Sequence, residues 1–321
     1  MSRPVFVDSR RDLLASLIDY EGLYPPASLG LEDAVAEYRR ARSGDHRWML
    51  GAFVINASLL EDLAATLVGS MWRGEAPWDI SVILDGDVGS SASSAAAFEA
   101  EMSPAATIVM VEGRLPREVA DVRDATTAMA AALPMFAAAA SVSPVAMPFL
   151  EIPAGLDGRE AAKLVQAVAG LRDSRNRNAG AKLRCGGVVL EAFPAPALVA
   201  AFLAACRDQS LPYKATAGLH HPIRQFDPDV GATRHGFLNL LVAAAVAETG
   251  ADIATLEAIV AEQDPAALRV GAAGVTWRGH HAGAPQIALM RASRLTSYGS
   301  CSFDESIADL SGLGLIAGTE A

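Results

Sequence analysis

Lysine is scarce in this 321-residue chain: of 26 basic side chains only Lys163, Lys182 and Lys214 are lysines, and the rest are arginines. Two of the three fall inside short apolar runs that read as strands, Ala181-Lys182-Leu183-Arg184-Cys185 and Pro212-Tyr213-Lys214-Ala215-Thr216. Successive strand residues face opposite sides, so Lys182 and Arg184 share one face and Lys214 shares another with Thr216. Glu151 in Phe149-Leu150-Glu151-Ile152 follows the same rule. Charges facing a low-dielectric interior are costly unless they are paired or used, so Glu151, Lys182, Arg184 and Lys214 form a candidate functional cluster. A structural ion-pair network is the plainer reading. A desolvated lysine among like charges has a lowered pKa, and a neutral amine can attack a carbonyl, which suggests Schiff-base chemistry.

The elements around these residues alternate between apolar or β-branched runs and helix-like segments. Strands are expected at 48–56, 79–85, 106–112, 145–152, 179–185, 211–217, 270–277 and 294–299, with helices at 58–70, 158–173, 195–208 and 236–249. Ser58 with Glu61 reads as a capping box. Eight such units predict an α/β fold, a (β/α)8 TIM-like barrel over 48–321, preceded by an N-terminal helical extension over 1–47 that serves as a cap or oligomer arm. An open doubly wound sheet is the alternative. The stretch 219–269 is long enough for a lid or an additional helical pair.

Tyr213-Lys214-Ala215-Thr216-Ala217-Gly218-Leu219 resembles the lysine strand of the deoxyribose-phosphate aldolase family of class I aldolase barrels. In that family a second lysine lies one strand earlier, and Lys182 stands 32 residues upstream. Gly299-Ser300-Cys301-Ser302 is similar to the family's small-residue phosphate loop. The resemblance implies that Lys182 forms the imine, that Lys214 lowers its pKa, and that Gly299 and Ser300 bind the anionic group. His220-His221-Pro222 after the second lysine, Arg184, and the long separation from Lys214 to Ser300 depart from that pattern.

Independently of any family, Ser302 and Glu305 cap a helix whose N-terminus suits phosphate or carboxylate. His220 follows the Lys214 strand and is a candidate general acid or base. Asn56 and Asp85 end strands and are candidates for substrate binding. A metal-dependent hydrolase or lyase using Glu151 and loop histidines is a second functional class, although no HxH or HExxH spacing supports a metal. Asp85-Gly-Asp87-Val-Gly89-Ser90 has the start of a calcium loop but Ala96 at its twelfth position. A barrel that binds or assembles without catalysis is the third class.

Composition narrows the partners. A net charge of −11 without a basic run disfavours nucleic acid and anionic membranes. A small anionic molecule is the expected partner, with no cofactor, and a homo-oligomer stays open. Gly312-Leu-Gly314-Leu-Ile-Ala-Gly318 echoes a dinucleotide fingerprint but has no room for the following strand. Cys185, Cys206 and Cys301 form neither a disulfide framework nor a metal pair, which suits the cytoplasm, and the start Met1-Ser-Arg-Pro lacks an apolar signal region. Residues 125–150 are uncharged, but alanine and three prolines favour a buried helix and strand over a membrane span.

Overall fold

The computed structural model describes residues 8–71, 75–121 and 124–317. Eight parallel strands close into a barrel: β1 (Ile18–Tyr20), β2 (Leu50–Asn56), β3 (Trp78–Ile83), β4 (Ala106–Arg114), β5 (Met147–Glu151), β6 (Gly180–Arg184), β7 (Tyr213–Thr216) and β8 (Leu295–Ser300). Each strand lies beside its neighbours in this series, and β8 closes on β1 by pairing Ile18 with Tyr298 and Asp19 with Gly299. Helices between the strands form the outer layer, as the TIM-like expectation requires.

The boundary expected between residues 47 and 48 does not hold. Ile18–Tyr20 is a barrel strand, and Leu13, Leu14, Leu17, Ala34, Val35 and Tyr38 are buried in the common core. The helices Ser9–Leu14 and Leu31–Ser43 are present, but they flank a strand rather than forming a detached arm. The tyrosines bind this segment to its neighbours: Tyr20, Tyr38, Phe53 and Trp78 pack ring against ring, and Tyr38 donates to the Gly51 carbonyl at 2.7 Å. Residues 1–4, Gly318 and the other extreme terminal positions lie outside the described residues.

The strand expected at 270–277 is also corrected. Leu268–Gly271, Gly274–Trp277 and His280–Gly283 make an antiparallel three-stranded sheet outside the barrel. A tight hairpin has the same alternation of apolar residues as a barrel strand, and here the turn lies at Gly271–Gly274. The long stretch before it holds a short hairpin, Gln225–Asp227 with Ala232–Arg234, and two helices, Phe237–Ala247 and Ile253–Ala261. Every residue of Phe237–Ala247 is buried, as suits a helix that is apolar on all sides.

Helix Ala125–Val142 and the segment Leu190–Asp208 are long and apolar enough to span a bilayer by length and composition. In the fold both belong to the outer layer. Ala128, Ala132, Phe136 and Ala139 of the first are buried, facing β4 and β5, between helices Val88–Met102 and Gly158–Arg175. Inside the barrel, Ala52, Met110 and Phe149 form an apolar plug. The charged side chains sit above it, toward the strands' C-terminal ends.

Candidate active site

The C-terminal ends of the strands surround a cavity of about 480 Å3. Its wall includes Glu21 just past β1, Asn56 from β2, Glu112 and Arg114 from β4, Glu151 from β5, Lys182 and Arg184 from β6, and Thr216 from β7. Tyr24 and Asp85 complete one side. This is the face on which barrel enzymes assemble their sites.

Register explains why the charges meet. Arg114 pairs with Glu151, Glu151 with Lys182, and Lys182 with Lys214, so four adjacent strands bring their charged residues to one level. The side chains form an alternating chain. Lys214 Nζ lies 2.6 Å from both Asp19 Oδ2 and Glu112 Oε1. Glu112 also pairs with Lys182, which lies 3.0 Å from Glu151 Oε2. Glu151 in turn is 3.2 Å from Arg184 and 3.3 Å from Arg114. Ser81 donates to Glu112 at 2.6 Å, while Asp19 accepts from Ser297 and from the Ala52 N–H.

Two glycines make room for Asp19 of β1 and for Glu21 just past it. A Cβ at Gly51 would overlap the Asp19 carboxylate, and one at Gly299 would overlap that of Glu21. Gly299 therefore acts as a gap in the wall rather than as a ligand contact. Glu21 itself accepts from Thr216 Oγ1 at 2.6 Å, and its N–H donates to the Ser300 carbonyl.

The electrostatics overturn the expected neutral amine. Burial alone would lower both lysine pKa values, but the carboxylates outweigh it. Glu112, Glu151 and Glu21 hold Lys182 above its ordinary value, and Asp19 and Glu112 do the same for Lys214. Conversely, Glu112 and Glu151 lie below the usual carboxylate range, because the cations beside them outweigh their burial. Glu21 behaves differently. Burial raises its pKa, and the charge of Lys182 and the Thr216 hydrogen bond only partly oppose this. The site thus contains ammonium groups and one carboxyl whose pKa is raised above the usual range.

Several sequence-derived candidates line the cavity: Glu151, Lys182, Arg184, Thr216, Asn56 and Asp85. Asn56 accepts from Tyr24 Oη at 2.8 Å. Asp85 accepts from the Ser58 hydroxyl at 2.6 Å and from its N–H, so Ser58 is engaged there instead of in the expected capping box. Lys214 is fully buried and is absent from the cavity wall. His220 is absent from it as well: its Nδ1 lies 3.7 Å from Cys301 Sγ and 3.6 Å from Glu305. Burial, with Arg234 and His221 nearby, lowers its pKa to about 4. Ser300 donates to the Ser302 carbonyl, and Ser302 Oγ caps the helix Phe303–Gly312 by accepting from the Glu305 N–H. The loop hydroxyls are thus engaged by the chain itself.

The metal reading loses its ligand set. Glu151 is taken up by three cations, His220 faces Cys301 and Glu305, and His280 and His281 lie in the outer sheet. Among the described residues no group of three or more His, Cys, Asp or Glu side chains is arranged to hold a metal ion. Sequence reasoning missed Asp19, Glu21 and Glu112. Glu112, a lone acid ending an apolar strand, carried the same signal as Glu151.

No protein-family model matches the sequence, and no curated protein matches it.

Proposed function

We propose that this barrel is an enzyme acting next to a carbonyl group of a small anionic compound, in an isomerase or lyase reaction that moves a proton. The observation that carries the reading is Lys182: this residue, held cationic by Glu112 and Glu151, belongs to the wall of a cavity that Glu21 also lines. An ammonium has three donors, and two are engaged by the carboxylates. The third is available to a carbonyl oxygen, where a preorganised cation stabilises an enolate as its charge develops. Glu21, whose carboxylate is made more basic by its burial, moves the proton. Arg184 and Arg114 are the cations for the substrate's anionic group. Lys214 and Glu112 are positioning residues.

The imine route implied by the aldolase resemblance would need Lys182 to give up its proton, which the surrounding carboxylates oppose. The test is a turnover screen against small phosphorylated aldehydes and 2-oxo acids, with Lys182→Met and Arg184→Met alongside. The wild type converts a member of the panel, Lys182→Met loses about 100-fold or more in kcat, and Arg184→Met raises KM. Conversion by no member, or undiminished turnover in Lys182→Met, would contradict the proposal. Borohydride added to the same reactions separates the two lysine roles: a trapped adduct lost in Lys182→Met means an imine, and its absence means an ammonium.

A further inference from the structure

The wall of the charged cavity changes character around the barrel. In the closed series β2 and β6 lie four strands apart in either direction, so Asn56 at the end of β2 is across the opening from Arg184 at the end of β6. On the β4–β6 side the charges are committed to one another: Lys182 to Glu112 and Glu151, and both Arg114 and Arg184 to Glu151. On the β2–β3 side the wall holds Asn56, Asp85 and Tyr24. Asp85 has no cation within ion-pair distance among the described residues, and each of its oxygens accepts a single hydrogen bond, both from Ser58. Asn56 precedes a turn of 3-10 helix, yet its side chain does not cap that turn. Its Oδ1 instead accepts from Tyr24 Oη at 2.8 Å, and among the described residues nothing accepts from its Nδ2.

We propose that Asn56 and Asp85 recognise a hydroxyl group at the far end of the substrate, which makes the substrate a hydroxylated oxo acid. The inference rests on the functional reading above. A hydroxyl both donates and accepts, so it donates to the Asp85 carboxylate and accepts from Asn56 Nδ2. Other end groups fit this pair less well. A second anionic group is repelled by the uncompensated Asp85 charge, and an alkyl group leaves both polar side chains desolvated without partners. An ammonium suits Asp85 but offers no acceptor to the Asn56 amide. Lys182 and Arg184 share a face of β6, so a substrate held there by its carbonyl and its anionic group extends its remaining carbons toward β2 and β3. Tyr24 is a positioning residue, since its hydrogen bond fixes which edge of the Asn56 amide is left for the ligand.

Calorimetric titration with 2-oxobutanoate and 4-hydroxy-2-oxobutanoate tests the assignment without requiring turnover, because the two acids differ only in the hydroxyl. The wild type binds the hydroxylated acid about tenfold or more tightly, as for one hydrogen bond to a charged group. Asp85→Ala and Asn56→Leu each reduce that preference to about twofold or less. Arg184→Met weakens both acids alike and keeps the preference. The readout is a ratio of two affinities, so a general loosening of the cavity does not imitate it. Equal affinities or a reversed preference in the wild type, or a preference that survives in either Asp85→Ala or Asn56→Leu, would overturn the hydroxyl site while leaving the carbonyl reading intact. Failure of both acids to bind would overturn both.

Discussion

Lys182 and Lys214 are register partners on adjacent strands and share the carboxylate of Glu112, yet only Lys182 lines the cavity. Lys214 lies between Asp19 and Glu112 with no exposed surface. The shared acid couples the two, but their surroundings divide the work: one lysine meets the substrate and the other holds the acids in place.

The two lysines therefore respond differently to removal. Lys214→Met leaves Asp19 without a cation within ion-pair distance among the described residues and halves the support of Glu112, and breaking such a buried pair costs about 3–5 kcal/mol. Lys182→Met is milder, since Glu112 keeps Lys214 and Ser81 while Glu151 keeps Arg184 and Arg114. Chemical denaturation of the two variants checks the order. Equal losses would contradict it.

Glu21 separates stability from function. Its folded-state pKa is raised, so ionising it as pH climbs above the unfolded value costs folding energy. Glu21→Gln removes that penalty, and the variant should be at least as stable as the wild type at pH 8. Turnover should fall by about 100-fold or more, as for loss of a general base. Thermal melting at pH 5 and pH 8, together with kcat, measures both effects.

Gly299→Ala should act through the same carboxylate. The added methyl group overlaps Glu21, which must swing away from Thr216 or displace β8. Stability falls, and substrate affinity falls with it, although residue 299 itself is absent from the cavity wall. Combining the substitution with Glu21→Ala relieves the overlap, so the stability losses are non-additive. Additive losses in a double-mutant cycle would refute the contact.

Much of the barrel was legible because strands buried on both faces read as apolar runs, and a charge inside such a run must point somewhere special. That argument found Glu151, Lys182, Arg184 and Lys214. Applied to Ile108-Val109-Met110-Val111-Glu112, it would have found Glu112 too. Asp19 and Glu21 were hidden for a different reason: β1 is only three residues long, and Leu13, Leu14 and Leu17 on one side with Ala34, Val35 and Tyr38 on the other suggest helices throughout. The strand count came out at eight because an unrecognised β1 offset the hairpin strand at 270–277. His220 was misplaced because distance along the chain from Lys214 does not reveal that the loop turns toward the helix Phe303–Gly312.

Two histidines make stability depend on pH. Burial holds His235 near pKa 4, with Nε2–H donating to the Pro194 carbonyl at 2.7 Å and Nδ1 accepting from Arg224. His220 is lowered to the same level. The unfolded chain binds these protons from about pH 6.5 downward, whereas the folded chain resists them until about pH 4. Stability is therefore full above pH 6.5 and declines between pH 6.5 and pH 4. Replacing His235 with Gln should flatten part of that decline. A melting temperature unchanged between pH 7 and pH 4.5 would contradict the assignment.

The most direct test of the account is exchange of the proton next to the carbonyl. Small phosphorylated aldehydes and 2-oxo acids are incubated with the protein in deuterated water, and loss of the proton signal is followed by NMR. The account predicts wild-type exchange with at least one of these compounds, abolished in Glu21→Gln and in Lys182→Met while both variants remain folded. Exchange that persists unchanged in either variant, or no exchange with any compound, would contradict it.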